Sequence, residues 1–221
     1  MTNNSSPSAT GHSILDEARA VLRAAVAAVP SNAWKDPTPC EAWTVTQVLQ
    51  HAALDQLAWA GAVAGGPMPE ENPFAPSGHI DGDPLGYADR ALAASAPAWR
   101  GTAAAGGTAA AGGSDAAGGN GAAGGNGAEL VPTPLPQGPM APGDAAAAAA
   151  LDAAIHGWDI AVATGQPSPL TNELARALTP VAEAIVEPLR QYGAYAPARQ
   201  NAADDDDATR LLHYLGRLGR A

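Results

Sequence analysis

The chain has a single cysteine, Cys40, and a single lysine, Lys35, in 221 residues. One cysteine excludes an intrachain disulfide and any cysteine-rich zinc site. Positive charge is scarce: Lys and Arg total 11 against 22 Asp and Glu, a formal net charge of -11. That balance argues against a nucleic-acid partner and equally against an anionic membrane surface. No apolar run reaches the length of a membrane span without Gly or polar breaks. Residues 1–11 lack the basic and apolar regions of a signal peptide, so the expected location is cytoplasmic. No GxSxG, P-loop or GxGxxG stands in a strand-turn-helix context. The glycines of 101–128 are repeats, not a phosphate cradle.

Helical periodicity dominates what is present. Hydrophobic residues make up 46% of the chain, much of it alanine. After a tail at 1–11, expected to be disordered, Ser13 can cap a helix carrying Leu15, Ala18, Leu22, Ala25, Val26 and Val29 on one face, stopped by Pro30. A Pro-punctuated loop follows. Thr44 and Gln47 form a capping-box pattern that opens a second helix, ended by Gly65-Gly66. Residues 65–82 read as a long loop. Asp83-Pro84 starts a third helix to about Trp99, with a kink expected at Pro97. Residues 101–128 are Gly, Ala, Asn and little else. They lack the bulky groups that offset ordering entropy, and read as a flexible insertion. Leu130 to Leu135 should be extended across the mouth of the bundle. Asp144 is the expected cap of a long apolar helix ending before Gly165. Thr171 opens another, in which Pro180 and Pro188 predict a kink or break. A short last helix is expected from Thr209 to Leu215. The sum is an all-α four-helix bundle with long connections: one domain over 12–221.

The fourth main helix carries polar residues that need an explanation. Asp152 and His156 are four apart and share a face of a helix made of Ala, Leu and Ile; Asp159 lies near that face. Burying such groups without partners is costly, and imidazole with carboxylate suits a divalent ion. An Asp–His hydrogen bond within the helix is the plainer alternative. His51, on the apolar stripe of the second helix, is the obvious further donor. Asp55 and Asp159 are candidates for orienting a ligating imidazole. Trp43 and Trp158 suit either core anchors or pocket walls. Cys40, between Pro39 and Glu41, reads as a small buried residue. His12, His79 and His213 fall in a tail, a loop and an exposed-looking helix and receive no role.

The stretch Thr38-Pro39-Cys40-Glu41-Ala42-Trp43-Thr44-Val45, then His51, then His156 to Gly165, resembles the metal-binding domain of the mycothiol-dependent maleylpyruvate isomerase family, within the DinB-like superfamily. Arg210 to Arg217 is similar to the tail of an actinobacterial subgroup. The resemblance spans most of the chain apart from 1–11 and 101–128. It implies a DinB-like four-helix bundle holding a divalent metal, usually zinc, through His51, Asp152 and His156. The family's acid is usually Glu; Asp152 is one methylene shorter. The implied cosubstrate is a low-molecular-weight thiol, mycothiol in the better-studied members. The implied chemistry is thiol-dependent isomerisation or S-transfer on a small electrophile, by a monomer or homodimer. The alternative is a non-catalytic metal-binding bundle with a binding or regulatory role.

Overall fold

The structure, a computed structural model, describes residues 10–40, 43–109 and 129–217, with side chains of 103–109 excepted. Most of the expected tail, the bulk of the Gly/Ala insertion, and Glu41 and Ala42 lie outside the described residues. Six helices follow in order among the described residues: α1 Gly11–Ala27, α2 Val45–Ala64, α3 Pro84–Ala109, α4 Pro142–Ala163, α5 Asn172–Arg190 and α6 Asp207–Tyr214. No strand occurs among the described residues; two isolated bridges, Pro37 with Thr44 and Val131 with Met140, are all the β pairing. The protein is an all-α bundle.

The helix-start signals act where they stand in the sequence, with several corrections. Thr44 and Gln47 make the expected capping box, and Gly65 closes α2 in the left-handed conformation at φ 63°. Thr171 caps α5. Thr10, not Ser13, caps α1: its hydroxyl accepts from the Ser13 N–H at 3.3 Å, so Ser13 sits one turn in. Asp144 is not a cap either. Pro142 occupies the first turn with Ala141 before it, and Asp144 lies within the turn, where its charge suits the helix dipole. The last helix starts at Asp207 because Asp206 accepts from Thr209 N–H at 2.8 Å, making the acidic run itself the cap.

The prolines break nothing. α5 runs unbroken through Pro180 and Pro188, and α3 through Pro97. Pro180 and Pro97 are exposed, so the carbonyls they leave without a helical donor can face water. α3 also continues ten residues past Trp99, to Ala109, beyond the end expected for this helix. Val131 and Leu135 pack against the core from the segment before α4. The chain turns back at Gly138, Val131 pairing with Met140 at 2.8 and 3.0 Å.

α4 is the hub. Ala145 to Ala150, Ala153 and Ala154 are all buried, and side chains this small let α1 lie close along it. Gly11 and Gly157 mark close approaches: a Cβ on Gly11 would clash with the Gly143 backbone, and one on Gly157 would stand 3.0 Å from the Leu22 Cα. α2 packs on α3 and on α4, and α5 covers the remaining side. By length and composition α4 could cross a membrane, but it is almost wholly buried inside the bundle, as a central core helix must be.

Candidate metal centre

α2 and α4 bring His51, Asp152 and His156 together, although 101 residues separate the first two. Their ligand atoms all lie within 4.8 Å of one another. Asp152 Oδ1 stands 3.3 Å from Nε2 of His51 and 3.3 Å from Nε2 of His156. The missing methylene therefore does not keep this carboxylate out of reach. Its other oxygen, Oδ2, is buried with no hydrogen-bond partner among the described residues.

The outer nitrogens of both imidazoles are spoken for. His51 Nδ1 lies 2.9 Å from the Pro73 carbonyl, which can only accept, so Nδ1 carries the hydrogen. His156 Nδ1 lies 3.0 Å from Asp159 Oδ2 and donates to it in the same way. In their neutral forms both rings then turn bare Nε2 lone pairs toward a carboxylate oxygen. Lone pairs facing a carboxylate at that distance repel unless a cation, either a proton or a metal ion, sits among them.

Without a metal, a proton takes that place. Burial alone would push His156 down, but the charge of Asp152 and the bonds to Asp152 and Asp159 outweigh it and raise its pKa to about 10. Asp152 is likewise disfavoured as an anion by burial, yet His156 and His51 hold it well below the usual carboxylate range.

A charged frame stands behind the site. Asp159, fully buried, receives Arg217 Nη2 at 2.9 Å and Nε at 3.3 Å as well as His156. Arg217 comes from the segment after α6. Asp55, one turn beyond His51, is buried outside the three-residue cluster; burial first, then the Asp152 charge, pushes its carboxyl well above its ordinary value. Both effects favour its protonated form. Trp43 stacks over His51 with ring centres 4.7 Å apart, held by the turn in which Thr38 donates to its carbonyl at 2.8 Å. Phe74, itself exposed, lies 5.5 Å from His51 on the other flank. Trp158 is fully buried in the core. Cys40 is half-buried, and burial pushes its thiol up.

Sequence reasoning missed three participants. Arg217 ends the tail that carried the resemblance, so a signal existed. The Pro73 carbonyl has no side-chain signal at all. It is placed because Gln47 and Gln50 pin the 65–82 loop, Gln50 accepting from Gly78 N–H at 2.6 Å and donating to His79 O at 2.9 Å. Tyr195, after α5, lies in the same field; burial and the Asp152 charge hold its hydroxyl well above the usual tyrosine value. Of the unassigned histidines, His79 pairs with Asp81 and His213 with Asp205, and His12 belongs to α1 rather than to a tail.

The donor set fits a divalent ion: two imidazole nitrogens already oriented from behind, one carboxylate, and a buried oxygen in need of a partner. No curated protein and no solved structure gives a match to the chain. Residues 15–161, which include all three clustered side chains, match the mycothiol maleylpyruvate isomerase N-terminal domain, and on that match the chain belongs to this family.

Proposed function

We propose that the protein binds a divalent metal, zinc, through His51, Asp152 and His156, and uses it with a low-molecular-weight thiol, mycothiol, to isomerise or S-conjugate a small electrophile. The observation that carries the reading is the convergence of two Nε2 lone pairs on one buried carboxylate, with each ring's other nitrogen already committed. A divalent ion held there supplies Lewis acidity, which lowers the pKa of a bound thiol. The chain's own residues do the rest. Pro73 and Asp159 fix both imidazoles in the ligating tautomer, Arg217 balances the Asp159 charge, and Trp43 with Phe74 gives the site aromatic flanks.

One observation favours the competing reading, a metal-binding bundle with a binding or regulatory role. Near the site, Asp55 and Cys40 are pushed toward their protonated forms by burial and Asp159 is committed to Arg217. No free base faces the cluster among the described residues.

Two measurements test the proposal. Elemental analysis should find zinc in wild type and little in His156→Ala, and chelation should lower the melting temperature of wild type while leaving His51→Ala unchanged. Equal chelator sensitivity of the two proteins would place any metal elsewhere. Thiol consumption by the zinc-loaded protein with a maleylpyruvate-like electrophile then separates the readings: turnover supports catalysis, and metal content without turnover supports the binding module.

A further inference from the structure

Apart from the metal cluster, a second polar group is buried between α1, α2 and α3. Arg19 of α1 is 8% exposed. Its Nε donates to Gln56 Oε1 at 2.8 Å and its Nη2 to Ser95 Oγ at 2.7 Å. Both partners are neutral, and no carboxylate pairs with the guanidinium among the described residues. A buried cation without a direct ion pair is costly; burial brings its pKa down to about 10, opposed by the nearby Asp16 charge. Nη1 makes no hydrogen bond among the described residues.

Arg19 lines a cavity of about 250 Å³ between α1 and α3. Leu15, Ala96 and Trp99 give it an apolar wall, and the Trp99 Nε1–H is buried without a partner among the described residues. Arg100 and Asp16, both exposed, stand at the rim. His12 donates through Nε2 to Thr102 Oγ1 at 3.0 Å, since the Thr102 hydroxyl is itself spent on the Trp99 carbonyl at 2.9 Å. Burial holds His12 below its ordinary pKa, so it adds no charge at neutral pH. Two guanidinium groups against one carboxylate leave about one net positive charge. A dianion is overmatched there; a monoanion is not.

We propose that this cavity binds a small organic carboxylate, its carboxylate on Arg19 and its apolar body against Trp99, Leu15 and Ala96. The size agrees: about 250 Å³, open to solvent on one side, has room for a ring and a carboxylate. A guanidinium edge with an amino group to spare is the donor such an anion needs. The site is separate from the metal cluster and does not depend on the metal's identity or presence.

The test is calorimetric titration of the full chain with benzoate, benzamide and inorganic phosphate, with and without chelator. Wild type should bind benzoate with a Kd of about 1 mM or tighter, and benzamide at least about tenfold more weakly. Chelation and His51→Ala should leave benzoate binding unchanged. Ala96→Leu fills the cavity without touching the Arg19 hydrogen bonds and should abolish binding; Arg100→Ala should weaken it. Arg19→Gln should also abolish it, and if that variant fails to fold, Ala96→Leu carries the test. Benzamide binding as well as benzoate, benzoate binding surviving Ala96→Leu, phosphate binding in preference to benzoate, or no benzoate binding at all would each overturn the proposal.

Discussion

His156 holds the residue-scale chemistry, because a proton and a metal compete for its Nε2. With a pKa raised to about 10, the imidazole is charged in the metal-free protein at neutral pH. Zinc must displace that proton, so uptake at pH 7 to 8 should release about one proton from this group, seen as buffer-dependent heat in calorimetry. Affinity should climb with pH up to about 10 and fall on acidification. The metal-free protein runs the other way. A raised histidine pKa stabilises the fold fully below about 6.5, and that contribution is lost as pH rises toward 10. A metal-free melting temperature that increases between pH 7 and 10 would contradict this pairing. Asp152→Asn keeps the shape but loses the anion. It should cost zinc affinity at least about tenfold, matching or exceeding the loss of an outer-shell partner, measured by competition with a chromogenic chelator. An Asn variant that binds as tightly as wild type would remove Asp152 from the ligand set.

The element that sets the site's position is α4, and its packing can be probed at glycine. Gly157→Ala adds a Cβ 3.0 Å from Leu22 Cα and 3.1 Å from Leu22 N, where backbone cannot easily yield. Overpacking of about 1–3 kcal/mol outweighs the roughly 1 kcal/mol of helix propensity gained, so the variant should melt lower by about 2–4 °C. Gly101→Ala in exposed α3, with nothing within 4 Å of the added atom, should melt higher. If Gly157→Ala also melts higher, α1 and α4 are not in the close contact described. The capping box of α2 and the Thr171 cap were legible because their donors and acceptors lie within one turn. That the helices continue through their prolines was not legible, because a proline's cost depends on whether the freed carbonyl reaches water, and that is decided by which face the bundle leaves outward.

At the scale of the whole molecule, the chain's last segment reaches back to the centre of the bundle. Arg217 lies well beyond the family-matched region 15–161 and pairs with fully buried Asp159. Arg217→Gln leaves that carboxylate without its cation. It should destabilise by about 3 kcal/mol and weaken zinc binding roughly 10–100-fold through the disturbed His156; an unchanged zinc affinity would make Arg217 a purely structural clip. The sequence by itself determined the helices, because apolar spacing and local caps are properties of neighbouring residues. It also determined the pairing of Asp152 with His156, since four residues make one helical turn. Only the tertiary structure decided that His51 completes the cluster, that the Pro73 carbonyl fixes its tautomer, that burial favours the protonated form of Asp55, and that Arg19 is buried without a direct ion pair. Each of those depends on groups brought together from distant parts of the chain, where burial and facing charges set protonation and partnership, and no local pattern encodes that meeting.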